Sequence, residues 1–215
     1  MRKSAALSGL ALYRKVALWY TYSKGIMDIN LLEGYDVKLE ERMVSSQTIF
    51  EGHIIKVTLD EAELPNGKLA GREVVYHPGG VTVLALGEDG SVPLVRQFRY
   101  PIQRLLLELP AGKLDKEAED QLEAAKRELS EETGLEAEEW TYLGSMLVSP
   151  GFCDEQVHMY LARKLKSSGQ HLDEDEFLNV EIMTFDELLS QVMDGTITDA
   201  KTVAATLKTK ILLGL

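Results

Sequence analysis

The spacing of apolar residues divides this chain into stretches of different character. Residues 35–76 alternate in short runs: residues 44–50 and 53–59 are β-prone on either side of Glu51-Gly52, and Asn66-Gly67 is a hairpin signal between residues 59–64 and 69–76. A β unit this small does not stand alone, so it must pack on the rest of the chain, on a second copy, or on both. Residues 81–86, VTVLAL, are almost continuously apolar, as in a strand covered on both faces. The turn Glu88-Asp89-Gly90 leads into residues 92–100, read as the hairpin partner of 81–86, and residues 105–109 form the next strand.

Residues 120–134 change to a helical period. Leu122, Ala125 and Leu129 make an apolar stripe, Asp120 and Glu123 have capping-box spacing, and Gly134 can close the helix in a left-handed cap. Residues 140–148 and 157–162 read as strands around the loop Ser149-Pro150-Gly151-Phe152-Cys153-Asp154-Glu155, and the polar residues 166–175 are expected to be mobile. A last strand at 180–184 precedes a helix at 185–193 stopped by Gly195, and a final helix at 199–213 capped by Thr198 or Asp199. There are no internal repeats. Strands interleaved with helices, one of which needs a sheet for its apolar stripe, predict an α/β fold: an α/β/α sandwich with an N-terminal antiparallel β subdomain.

The helix at 120–134 also carries the densest chemistry. Glu128, Glu131 and Glu132 stand at i, i+3 and i+4, so one helical face aims three carboxylates at a small volume. Like charges this close call for a cation between them, and an all-oxygen donor set suits Mg²⁺ or Mn²⁺ better than Zn²⁺. Arg127 is placed to pair with Glu123 and Glu131, one turn away on either side. A solvated acidic face is the ordinary reason for such a run, but the full spacing argues against it. Gly112 and Ala111, in LPAGK, form a glycine loop before the helix, where a missing side chain lets the backbone come close to a metal or phosphate.

This spacing resembles the Nudix box: Gly, five residues, Glu, seven residues, then Arg-Glu-aliphatic-x-Glu-Glu-x-Gly-aliphatic. Arg127, Glu128, Leu129, Glu131, Glu132, Gly134 and Leu135 fit without adjustment. At the front, six residues separate Gly112 from Glu119, leaving Glu117 and Glu119 in competition for the first glutamate; the seven-residue gap to Arg127 favours Glu119. GREVVYHPGG, VRQFRYP, LPAGK and SPGF extend the likeness to the ADP-ribose pyrophosphatase subfamily over about residues 45–200. The resemblance implies a Nudix-type sandwich over residues 78–215 and a β subdomain at 28–77 that builds a homodimer. It also implies metal-dependent hydrolysis of ADP-ribose to AMP and ribose 5-phosphate. Another nucleotide sugar or dinucleotide, such as GDP-mannose, is the alternative substrate; a non-catalytic ADP-ribose-binding module is weakened by the intact box.

On this resemblance Glu128, Glu131, Glu132 and the carbonyl of Ala111 are metal ligands. Glu155 is the general base, with Asp154 or a helix glutamate as the alternative, since a glutamate bound to a cation accepts a proton poorly. Arg127 and Glu131 belong to the catalytic set as well. Arg72, Arg96 and Arg99 are the natural partners of a diphosphate or terminal ribose because their forks bind two oxygens at once. Arg96 and Arg99 point to opposite faces of one strand, so one of them is expected in a structural ion pair. Tyr76 and Phe98 can stack on a base, although strand aromatics are more often core. Glu108, just before the loop, is either an acid supporting the site or an ordinary strand residue.

Charge and composition narrow the classes. The net charge of −12 argues against a nucleic-acid polymer as partner, no segment approaches eighteen uninterrupted apolar residues, and the single cysteine, Cys153, fits a reducing, cytoplasmic setting. His53, His77, His158 and His171 are dispersed and make no zinc motif. Residues 1–27 hold five basic residues and no acid, so the rest carries −17. An organellar presequence fits that composition, as does an over-long gene start with Met27 the natural one. A secretory signal does not, because Arg14 and Lys15 interrupt its apolar stretch.

Overall fold

The computed structural model describes residues 39–114, 119–172 and 177–215, so the basic extension at 1–27 and Glu117 lie outside the described residues. The chain divides into two compact units, residues 1–42 with 63–69, and residues 43–62 with 70–215. In the described part of the first, Arg42 pairs with Glu63 at 2.5 Å, and Leu64 closes a turn by donating its N–H to Lys68 and accepting from Gly67, each at 2.8 Å. Asn66 Oδ1 receives the Lys68 N–H at 3.0 Å, so the Asn-Gly turn forms where the sequence places it.

Three strands, β1 (Arg42–Glu51), β2 (Lys56–Glu63) and β3 (Leu69–Tyr76), form the N-terminal sheet in that order. The rest of the chain supplies β4 (Gly80–Leu86), β5 (Ser91–Arg99), β6 (Arg104–Glu108), β7 (Ala111–Lys113), α1 (Gln121–Thr133), β8 (Leu135–Leu147), β9 (Gln156–Ser167), β10 (Leu178–Thr184), α2 (Phe185–Met193) and α3 (Ala200–Leu213). They build a mixed sheet β7-β4-β9-β8, in which β4 and β9 are parallel, and an antiparallel sheet β10-β5-β6.

Period-two alternation sorts β4 and β9 onto two cores. Val81, Val83 and Ala85 with Tyr160 and Ala162 pack under Ala124, Ala125 and Leu129 of α1. Leu84, Met159 and Leu161 face the other way, onto Phe185, Leu188 and Val192 of α2 and Ala205 of α3. Helices therefore cover both faces of one sheet, which is the α/β/α sandwich the pattern predicts.

Two readings change. Residues 92–100 are not the hairpin partner of 81–86: β4 has its edges taken by β9 and β7, and β5 by β10 and β6, so the tight turn at 87–91 sends the chain from one sheet to another. Residues 166–170 are not a loose stretch either. β9 runs to Ser167; Ser168 and Gly169 then donate to the Gly134 carbonyl and Gln170 Nε2 donates to the Glu132 carbonyl, which fastens them to the end of α1. These bonds satisfy helix-end carbonyls that would otherwise lack partners. Residues 173–176 lie outside the described residues.

Candidate active site

Helix α1 starts and stops as its sequence dictates. Asp120 accepts from the N–H groups of Leu122 and Glu123 at 2.9 and 3.1 Å, and Gly134 ends the helix at φ +67°. Glu123 itself takes Lys126 at 2.7 Å, and the reciprocal capping box is found at Thr184 and Glu187 instead.

Arg127 is the hub of the acidic face. Its Nη1 lies 2.7 Å from Glu128 Oε1 and 3.0 Å from Glu131 Oε2, its Nε 3.5 Å from Glu119 Oε1, and its Nη2 donates to the Lys113 carbonyl at 3.3 Å. The structure thus brings Glu119 to the box arginine. Glu128 and Glu132 are both buried. A buried carboxylate costs heavily without partners, and Glu132 finds one in the Ala111 N–H, which it accepts at 2.9 Å. Glu128 lies against Gly112 so closely that any Cβ there would collide with its carboxyl group.

The stretch read as a glycine loop is in part a three-residue strand, β7, whose Gly112 sits opposite Val81 of β4. Thr82 Oγ1 and Val83 N–H both donate to the Pro110 carbonyl, at 3.0 and 2.9 Å, fixing the segment that carries Ala111. Buried acids, an all-oxygen donor set and a side-chain-free backbone at Gly112 suit a hard divalent cation. Among the described residues, no three His, Cys, Asp or Glu groups are gathered closely enough to enclose one, and Arg127 stands between Glu128 and Glu131.

The loop at 149–155 reaches the same end of β4. Its Glu155 precedes Gln156, the first residue of β9; Val157 of β9 and Lys113 of β7 both lie beside Gly80. The loop is fastened rather than loose. Val75 donates to the Phe152 carbonyl at 2.7 Å, Asp154 N–H donates to the Val75 carbonyl at 3.1 Å, and Asp154 Oδ1 receives the His77 N–H at 2.8 Å. Glu155 Oε1 stands 3.8 Å from His77 Nδ1, whose lone pair is taken by the Gly79 N–H at 3.0 Å. That contact is therefore not a hydrogen bond, and the carboxylate keeps its acceptor oxygens.

Both strand arginines are ion-paired, where only one was expected to be. Arg96 grips Glu181 of β10 through Nε and Nη2, and Arg99 grips Glu108 through Nε–Oε1 and Nη2–Oε2, both 2.8 Å. Glu108 is fully buried, and Lys201 of α3 also donates to its Oε2. Burial alone would push the Glu108 carboxyl up, but Arg99 and Lys201 outweigh it and hold the group below the ordinary glutamate range. Glu108 is more than an ordinary strand residue: it is the centre of a buried ionic cluster. Lys201 carries no signal in the sequence, where it reads as one more residue in the first turn of a helix.

Arg72, on β3, donates to the Gly71 carbonyl at 2.8 Å. Tyr76 and Phe98 are exposed, so the expectation that strand aromatics belong to the core fails for both.

The match to known proteins covers most of the chain. A profile described as "Nucleoside diphosphate sugar hydrolase N-terminal domain" matches residues 41–75. The chain is 44% identical over 169 residues to an ADP-ribose pyrophosphatase of Bacillus subtilis, covering 78% of this chain and 91% of that protein. It is also 44% identical over 168 residues to a methanol dehydrogenase activator of Bacillus methanolicus, covering 77% and 90%. A crystal structure of an ADP compounds hydrolase shares the fold, with a TM-score of 0.72 over 81% of this chain and 95% of that one, at 22% identity. With the NUDIX domain profile matching residues 76–205, over the strands, loop and acidic helix just described, the chain belongs to the Nudix family of pyrophosphohydrolases, enzymes that work with a divalent metal ion.

Proposed function

We propose that this chain hydrolyses ADP-ribose to AMP and ribose 5-phosphate, with Mg²⁺ as its metal and Mn²⁺ as a substitute, acting as a cytoplasmic homodimer. The observation that carries the reading is the buried Glu128–Glu132 pair set against the Ala111-Gly112 backbone, in a chain 44% identical to an ADP-ribose pyrophosphatase. Glu128, Glu131, Glu132 and the Ala111 carbonyl would hold Mg²⁺, which when bound neutralises diphosphate oxygens and acidifies a water. Arg127 keeps Glu128 and Glu131 in place between turnovers. Glu155 takes the proton from the water that attacks phosphorus, a role that suits an acid that is not itself a metal ligand. Arg72 is a donor for the diphosphate and terminal ribose, as are Arg96 and Arg99 once released from Glu181 and Glu108, and exposed Tyr76 and Phe98 offer faces for the adenine.

The dimer is supported by β1, every residue of which is exposed, Met43, Val44, Ile49 and Phe50 among them. Apolar side chains exposed along an edge strand call for a partner. A chain beginning at Pro78 should aggregate or lose activity, whereas removal of residues 1–26 should do neither; a soluble, active monomer without residues 1–77 would refute the dimer. For the activity, a panel of ADP-ribose, GDP-mannose and dinucleotides assayed with Mg²⁺ and Mn²⁺ should show ADP-ribose with the highest kcat/KM. GDP-mannose ranking first would replace the substrate, and binding of ADP-ribose without cleavage would replace the enzyme reading.

A further inference from the structure

Glu108, Arg99, Lys201 and Asp199 form a chain of charges whose members differ in freedom. The Glu108 side chain is 1% exposed, Lys201 14% and Arg99 39%. The Lys201 ammonium is held by two carboxylates: it donates to Glu108 Oε2 and, at 2.9 Å, to Asp199 Oδ1. Asp199 caps α3 and accepts from Thr202 N–H and Oγ1 at 3.0 and 2.6 Å, and Thr202 Oγ1 accepts the Leu109 N–H at 2.9 Å. Among the described residues Arg99 has no second hydrogen-bonded tether of this kind, and it stands on the strand end next to solvent. The carboxylates of Asp199 and Glu132 also act on its charge, which places Arg99 within electrostatic reach of the acidic site.

An arginine bound bidentately to a buried carboxylate is a poor substrate ligand, because leaving strands the carboxylate without a cation. Here a second cation already shares Oε2 with Arg99 and would remain behind, with the α3 N-terminus stabilising Asp199 beneath it.

We propose that Lys201 is a positioning residue for substrate capture: it holds Glu108 so that the Arg99 guanidinium can swing from Glu108 to an anionic oxygen of the nucleoside diphosphate. The proposal rests on the reading of Arg99 as a substrate-binding residue. Its consequence is a split between binding and turnover. Lys201→Met leaves Glu108 with Arg99 alone and so locks Arg99 in place; KM for ADP-ribose should rise about 10-fold, the worth of a charged hydrogen bond, with kcat little changed. Lys201→Arg should keep the original KM. Adding Glu108→Gln to Lys201→Met removes the charge that locks Arg99 and should bring KM back down, a recovery that a merely structural lysine would not give.

Steady-state kinetics on the full chain decide the matter. A Lys201→Met enzyme with unchanged KM, or a double variant whose KM stays high, overturns the proposal. If Lys201→Met alone does not fold, Lys201→Gln, which also removes the cation but keeps a polar end beside Glu108 and Asp199, takes its place under the same KM criterion. Arg99→Met separates the two layers: raised KM there with unchanged KM in Lys201→Met overturns the role of Lys201 alone, while unchanged KM in Arg99→Met overturns the role of Arg99 with it.

Discussion

Arg127 and Arg99 are both forks closed on glutamates, and they gather their partners in opposite ways. Arg127 draws on its own helix and the residues just before it, Glu128, Glu131 and Glu119, and its guanidinium is partly open to solvent. Arg99 closes on Glu108 of the neighbouring strand, and Glu108 in turn is held by Lys201, 93 residues further along. The core of the first hub forms with α1, because helical period sets the spacing of Arg127, Glu128 and Glu131, and Glu119 and the Lys113 carbonyl then close it. The second exists only when α3 docks beside β6, so it reports tertiary structure. A hub of the first kind can present carboxylates to a cation without disturbing the fold; one of the second kind would tie any ligand that Arg99 takes to the packing of a distant helix.

The sharpest way to break this comparison is to remove charge from the local hub at constant volume. Glu132→Gln and Glu128→Gln should each lower kcat by roughly 10³-fold, since losing a metal ligand forfeits several kcal/mol of charge stabilisation. Circular dichroism and thermal melts should stay close to those of the parent chain, because in Glu132→Gln the new amide oxygen still accepts the Ala111 N–H that the carboxylate accepts now. Metal titration by calorimetry is the check, and unchanged affinity in both variants would remove the acidic face from the chemistry.

How legible each hub was follows from the same distinction. Glu128, Glu131, Glu132 and Arg127 could be found because their spacing is local, and Glu119 could be preferred to Glu117 by counting residues to Arg127. Nothing near Lys201 points to Glu108, and nothing in VRQFRYP separates an arginine that binds substrate from one that binds a glutamate. Strand β7 was missed because three residues, one of them glycine, carry no periodic signal; its pairing is set by β4. The sandwich was readable since strands interleave with helices and the apolar stripe of α1 needs a sheet, whereas the sheet assignment of β5 was not, as a tight turn makes a hairpin only if the first strand has a free edge. For β1 the apolar residues were visible, and their exposure was not.

A second group tests whether proton transfer lies outside both hubs. Glu155→Gln should cost about 10²-fold in kcat, with metal affinity and KM little changed. Asp154→Asn should cost much less, since the amide oxygen can still accept the His77 N–H that Asp154 Oδ1 accepts now. The reverse ranking in a steady-state assay would make Asp154 the base and Glu155 a loop acid.

The smallest expected effect is on stability, and it belongs to the long-range hub. At neutral pH Glu108→Gln should destabilise the fold by about 2 kcal/mol, the scale of a hydrogen bond to a charged group. Glu108 has its pKa lowered in the folded chain because Arg99 and Lys201 overcome the cost of its burial. The unfolded chain therefore binds its proton first as pH falls, and the stabilisation is complete above the unfolded value of about 4.3. It is lost as pH drops from there through the lower folded value. Chemical denaturation of parent and Glu108→Gln chains between pH 7 and pH 3 should show a constant gap down to about pH 4.3 and a narrowing one below it. A gap that widens as the solution is acidified would mean that Glu108 is held protonated in the fold, with Arg99 and Lys201 repelling each other across it, and the arginine could not then be anchored there in the resting enzyme.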